Sequence, residues 1–131
     1  MKANIIIARI LSGLVGIIML SKALEWILEP SSAASGLAMT EALSQETNLG
    51  RNTLIGDFTS FFISVGLLSC IGAFSAKYEW IYGPISLLAF AAFFRIHAGI
   101  FHGTDFLKSA IIAEIVMTFM LLVSVYLFKK Q

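Results

Sequence analysis

The stretch Phe93–Gly103 holds the side chains best suited to chemistry, because Arg95, His97 and His102 interrupt an apolar run that begins near Trp80. An arginine offers charged hydrogen-bond donors, and a histidine can carry protons or bind a metal ion. Within apolar segments such side chains are costly, and they usually face a bundle interior, a partner group or water. We therefore expect the rest of the chain to bring polar partners to this stretch.

The composition is that of a membrane protein. Hydrophobic residues make up 58% of the 131 residues, charged residues make up 13%, and the mean hydropathy is +0.88. Soluble domains carry roughly 25% charged residues. The length suits one domain, and a net charge of +1 without a basic, aromatic-rich patch argues against a nucleic-acid partner. The single cysteine, Cys70, excludes a disulfide framework and argues against a thiolate metal site.

Four apolar segments are each long enough to cross a bilayer, which takes about 20 residues of helix. They predict an all-α, integral membrane, up-down bundle in a single domain. We expect the first segment to remain as a transmembrane helix, because its charged end does not suit a signal peptide. The predicted helices cover about residues 5–28, 53–76, 80–103 and 106–128, with a long outer loop at 29–52.

The long loop and the glycines carry further structural predictions. Pro30 and the serines after it predict the end of the first helix. Residues 36–45 predict a short amphipathic surface helix with Leu37 and Leu43 facing the membrane. Small residues allow helices to approach closely, so we expect such contacts along the second segment and along the third. The glycines concerned are Gly66 and Gly72, then the GxxxG pair Gly99 and Gly103.

The distribution of basic residues orients the chain. Four spans place both termini on the same side of the membrane, and most basic residues outside the apolar cores lie on that side. The positive-inside rule then places both termini in the cytoplasm. The side of the termini holds Lys2, Arg9, Lys77, Lys129 and Lys130, and the opposite side holds Arg51 and Lys108.

In this orientation, nearly all strongly polar residues inside the apolar segments fall in the outer half of the membrane. One interpretation is structural: Arg95 pairs with Asp57 or Glu114, and the pair fixes the register of the helices. The other is that the same charges line an outward-facing cavity for the head group of a lipophilic ligand. The polar cluster comprises Lys22, Glu25, Asp57, Arg95, His102 and Glu114.

We predict neither a catalytic residue nor a metal site. His97, His102, Asp105 and Glu114 are ligand types that zinc or copper accepts, but the H-x4-H spacing is not that of a zinc protease. The serines of the second segment have no histidine in the same segment, and hydroxyls of transmembrane helices usually bond to backbone carbonyls.

Four short features recur along the apolar segments: Ile55-Gly56-Asp57-Phe58, Val65-Gly66-Leu67-Leu68, Arg95 with Gly99 and His102-Gly103, and Glu114. Together they resemble the DoxX-like group of small four-helix bacterial membrane proteins, most closely a subgroup of uncharacterised function. The resemblance implies the four-helix fold and a bacterial inner membrane. Because the wider group includes quinone-linked oxidoreductase subunits, it also implies a quinone or other lipophile as ligand. At residues 102–103 the pattern calls for a small-residue turn, so His102, like His97, is a departure from it.

Three functions follow as hypotheses. The first is a non-catalytic accessory or scaffolding subunit of a larger membrane complex, whose partners are the lipid bilayer and other membrane proteins or further copies of the chain. The alternative is a binder of a quinone or lipid-like molecule, and the second alternative is a quinone-linked oxidoreductase subunit. The residues alone predict no cofactor. A binder requires a cavity whose polar end contains Arg95, whereas an accessory subunit needs only a solid core.

Overall fold

The computed structural model describes residues 2–45 and 47–130, and their regular structure is helical throughout, which confirms the predicted all-α class. Four helical segments are long and apolar enough to cross a membrane. The third of them joins a short 3-10 turn to a longer helix. In chain order the elements are α1 (Lys2–Leu28), α2 (Pro30–Gly36), α3 (Thr40–Gln45), α4 (Asn48–Ser75), the 3-10 turn (Tyr78–Ile81), α5 (Tyr82–Phe101) and α6 (Lys108–Lys129).

Helix α4 begins at Asn48, well before the predicted start near residue 53. The Thr47 hydroxyl accepts a hydrogen bond from the Gly50 backbone N–H at 3.2 Å and so caps the first turn. Such a cap satisfies a backbone donor that the helix itself cannot. The polar residues before the apolar run are therefore part of the helix.

Helix α1 is central to the bundle. It packs most extensively against α4 and then against α6, while α5 packs mainly against α6 and less against α4. The Ala8 carbonyl accepts hydrogen bonds from the hydroxyls of Ser12, at 2.8 Å, and Ser124, at 2.7 Å. The bond from Ser124 joins α6 to α1 inside the apolar interior, where a hydroxyl needs a partner.

Close contact between α1 and α4 depends on two glycines. A Cβ atom added to Gly66 would lie 2.9 Å from the Leu20 backbone nitrogen, and one added to Gly16 would lie 3.0 Å from the Cys70 backbone nitrogen. The predicted close approach at Gly66 is thus present, whereas the matching Gly16 was not predicted. Neighbouring backbones at this distance leave no room for a side chain.

The other predicted glycine contacts involve side chains instead of helix backbones. The Ile81 side chain covers Gly72, and the Phe106 ring covers Gly99. Gly103 has no neighbour that an added Cβ would meet, and it has a φ of +64°, a left-handed conformation that glycine adopts readily. Among the residues that the structure describes, the GxxxG pair Gly99 and Gly103 therefore does not join two helices.

The loop between the first two spans is ordered as two short helices. Pro30 ends α1 but also occupies the first turn of α2, where its missing N–H leaves no helical bond unmade. Ala38, with a φ of 56°, separates α2 from α3. Leu43 is 2% exposed and Leu37 is half-buried, so these side chains face the protein. The prediction that they face the membrane is wrong. We call this part of the bundle the short-helix end (Pro30–Gln45), and the opposite part the terminus end.

Replacing Gly66 with alanine should destabilise the bundle, because the new methyl group would meet the backbone of α1. Overpacking of this kind typically costs about 1–3 kcal/mol. The matched control is Gly56→Ala on the same helix, since a Cβ at Gly56 would meet no atom within 4 Å. Thermal unfolding in detergent should show a lower midpoint for Gly66→Ala and an unchanged or higher one for Gly56→Ala. Equal midpoints would contradict the proposed close contact.

Candidate functional site

A cavity of about 360 Å³ lies between the four long helices towards the short-helix end. Small-molecule pockets in proteins commonly measure about 300–1,000 Å³. Its walls are apolar except for four charged side chains, one from each long helix. The lining residues are Ile18, Met19, Lys22, Leu37, Asp57, Phe58, Phe61, Phe62, Leu88, Ala91, Arg95, Ala110, Ala113, Glu114 and Met117.

An ion pair between α5 and α6 lies at the cavity. The Arg95 Nε–H donates to both carboxylate oxygens of Glu114, at 3.0 and 3.1 Å. The Glu114 side chain is 8% exposed and that of Arg95 is 30% exposed. Of the two partners predicted for Arg95, the structure therefore selects Glu114. Asp57 forms no ion pair within residues 2–45 and 47–130.

The pair leaves hydrogen-bonding capacity on the arginine. A guanidinium carries five N–H donors, and the Glu114 carboxylate engages only the one at Nε. Among the described residues, no acceptor bonds to the two terminal nitrogens of Arg95. Because Arg95 lines the cavity, these donors can serve a bound molecule.

Lys22 and Glu25 form a second, more exposed pair at the same end. The Lys22 ammonium donates to Glu25 Oε2 at 2.9 Å, and the Ser32 hydroxyl donates to Glu25 Oε1 at 2.9 Å. Both bonds involve the last turns of α1, and the second ties α2 to them. Lys22 lines the cavity, whereas Glu25 does not line it and is linked to it only by the ion pair with Lys22.

An aromatic stack supports the wall between α1 and α4. The rings of Trp26 and Phe58 are nearly parallel, with centroids 5.0 Å apart and an interplanar angle of 10°. Trp26 is 1% exposed, and Phe58 lines the cavity. Buried aromatic contacts of this kind hold side chains in defined positions. Phe58 therefore presents a fixed surface to a bound molecule.

The two histidines lie apart from the cavity lining. The His97 ring packs against Phe101, with centroids 4.6 Å apart, and its centroid is 5.6 Å from that of the exposed His102. His102, a member of the predicted polar cluster, follows the last residue of α5 and does not line the cavity. Asp105 is exposed in the connection to α6. Within the described ranges, no group of three or more His, Cys, Asp or Glu residues could hold a metal ion.

Sequence reasoning missed the apolar part of the site, although a periodic signal was present. Each charged residue that lines the cavity has a neighbour four positions away on its own helix that lines it too. Such positions share one helical face. The neighbours are Ile18, Phe61, Ala91 and Ala110.

No family model, curated protein or solved structure matches the chain. The DoxX-like resemblance therefore stays a prediction, and so do the quinone-linked functions that it implies. The cavity and its charged side chains are therefore the evidence that bears on function.

Replacing Arg95 with methionine should destabilise the protein by about 3–5 kcal/mol, because Glu114 would keep a buried charge without a counter-ion. Adding Glu114→Gln removes that charge and should recover much of the loss. Adding Asp57→Asn to Arg95→Met is the control and should recover none. Unfolding midpoints in detergent would measure all three. An Arg95→Met protein as stable as the unchanged chain would contradict the structural role of the pair.

Proposed function

We propose that this protein binds a lipophilic small molecule within the membrane, with its hydrocarbon part against the apolar walls of the cavity and its head group at Arg95. One observation carries the proposal: an apolar cavity between the four long helices has at its edge an arginine whose terminal nitrogens have no acceptor among the described residues. An arginine that served only to pin two helices would need no cavity beside it.

Selectivity in such a site has to come from the head group. Lipid tails are as apolar as the cavity walls, so a hydrocarbon chain gains little when it moves from the bilayer into the protein. Hydrogen bonds are stronger where the local dielectric constant is low. The donors of Arg95 therefore favour molecules that carry an acceptor, such as a carbonyl or ester oxygen, over plain hydrocarbon.

The orientation of the protein is part of the proposal. At the terminus end, the Lys129 ammonium lies 5.1 Å from the ring centroid of Tyr78 and 5.5 Å from that of Tyr82. The Lys130 ammonium lies 4.4 Å from that of Tyr126. Aromatic rings mark both membrane interfaces, and an excess of basic residues marks the cytoplasmic one. This pattern supports cytoplasmic termini and a cavity in the outer half of the membrane, and the bacterial inner membrane is proposed from the DoxX-like resemblance.

The other two hypotheses remain predictions. An accessory or scaffolding subunit is compatible with the same ion pair, because a pair that fixes α5 against α6 would stabilise the bundle in either role. A quinone-linked oxidoreductase subunit would use the same donors, since quinone carbonyl oxygens accept hydrogen bonds. Neither is supported by an observation beyond those that support binding.

Filling the cavity should abolish binding. Ala113 lines the cavity, so Ala113→Phe would place a phenyl ring inside it. The matched control is Ile112→Phe, because Ile112 is on the same helix, is 60% exposed and does not line the cavity. Native mass spectrometry of protein extracted gently from its membrane should show a bound small molecule in the unchanged chain and in Ile112→Phe, and at least tenfold less of it in Ala113→Phe.

Two results would contradict the proposal. The first is that the unchanged protein carries no small molecule and acquires none from added lipid extract. The second is that Ala113→Phe retains the molecule as well as Ile112→Phe does. A bare protein that copurifies in fixed ratio with another polypeptide would favour the accessory subunit instead.

A further inference from the structure

The charges at the cavity point to a more specific ligand class. We infer that the head group is not an anion but carries a hydrogen-bond donor, an amine or a hydroxyl, and that Asp57 selects it. This inference rests on the proposed function, because it assumes that the cavity binds a lipophile.

Both cations that line the cavity already have a counter-ion from the protein. Arg95 is paired with Glu114, and Lys22 is paired with Glu25. Asp57 also lines the cavity, and no cation pairs with it among the described residues. The two pairs are each neutral, so Asp57 leaves the cavity and its paired counter-ions with one net negative charge.

This balance disfavours a carboxylate or phosphate head group. To reach the terminal nitrogens of Arg95, an anion would have to approach Glu114, whose oxygens lie 3.0 and 3.1 Å from Arg95 Nε. Like charges repel strongly where water is scarce. A neutral acceptor can take the same N–H bonds without that repulsion. We therefore expect Arg95 to donate hydrogen bonds to a neutral acceptor in preference to binding an anion.

Asp57 supplies the complementary preference. An ionised carboxylate only accepts hydrogen bonds, so it is best satisfied by an ammonium or hydroxyl group. Its side chain is exposed, and it lies next to Phe58, which forms part of the cavity wall. Water can hydrate Asp57 when the cavity is empty, and a ligand donor can replace that water. A hydroxyl has both a donor and an acceptor and can thus bond to Asp57 and to Arg95, whereas an ammonium has only donors and bonds to Asp57 alone.

The stack of Trp26 on Phe58 provides a local reporter. The chain has two tryptophans, so a Trp80→Phe background leaves Trp26 alone. The protein would be placed in phosphatidylcholine nanodiscs with a dodecanol brominated on its chain, and bromine in the cavity would quench Trp26 fluorescence. Unlabelled dodecylamine, dodecanol and dodecanoate, which share one chain length, would then compete for the saturable part of the quenching.

We expect dodecylamine and dodecanol to compete at least tenfold better than dodecanoate, a difference of about 1.4 kcal/mol. Asp57→Asn should reduce the preference for the amine over the carboxylate by about tenfold, while Asp57→Glu should retain it. The matched control is Asp105→Asn, because Asp105 is an exposed carboxylate that does not line the cavity. It should leave the order of the three competitors unchanged.

The outcomes separate the two proposals. Strongest competition by dodecanoate, or an order of competitors that Asp57→Asn does not alter, would overturn the inference about the head group and leave cavity binding intact. A loss of the preference in Asp105→Asn as large as that in Asp57→Asn would overturn the role of Asp57. The absence of saturable quenching, with no competition by any amphiphile, would overturn cavity binding and the inference together.

Discussion

The ion pair between Arg95 and Glu114 is the interaction on which the arrangement of the site depends. Neither charge would be tolerated alone in an apolar bundle, and a single N–H shared by two carboxylate oxygens joins α5 to α6. The pair fixes these two helices, yet it uses only part of the guanidinium. Its geometry therefore serves stability and leaves hydrogen-bond donors for a ligand.

The helices do not approach one another equally closely throughout the bundle. Glycines at positions 16 and 66 bring α1 and α4 into backbone contact, and the Ser124 hydroxyl bonds α6 to the Ala8 carbonyl. Towards the short-helix end, Phe58 and Phe61 stand between the helices and line a space that side chains do not fill. Tight packing in one part and large rings in another give a rigid bundle that still contains a cavity.

Much of the fold could be predicted from the sequence, because apolar length alone specifies four spans. The sequence could not choose between Asp57 and Glu114 as the partner of Arg95. Both are acidic and both fall in the predicted outer half of the membrane, and the choice depends on which helix α5 packs against. It also misplaced Leu37 and Leu43, because an apolar face looks the same whether it covers lipid or protein. The sequence also placed His102 in the polar cluster, yet its ring lies beside that of His97 and outside the cavity lining.

From the sequence, a cavity was only one of two interpretations of the polar cluster, and the other was a structural ion pair. Whether four apolar helices leave a gap depends on side-chain volumes at facing positions, and facing positions are unknown until helix rotation is known. The period-four pattern around Lys22, Asp57, Arg95 and Glu114 specifies one face on each helix. That these four faces meet at one point is a property of the assembled bundle.

The two residues of the ion pair lie on consecutive helices, and this has a consequence for biosynthesis. Arg95 and Glu114 are 19 residues apart, on consecutive helices joined by a short connection. An isolated arginine in a membrane-spanning helix costs up to roughly 3.5 kcal/mol during insertion, the value for the helix centre. If α5 and α6 leave the translocon together as a hairpin, the arginine reaches lipid already neutralised. A ribosome that stalls between the two helices would instead leave a charged helix without its counter-ion, a form suited to recognition by membrane quality-control proteases.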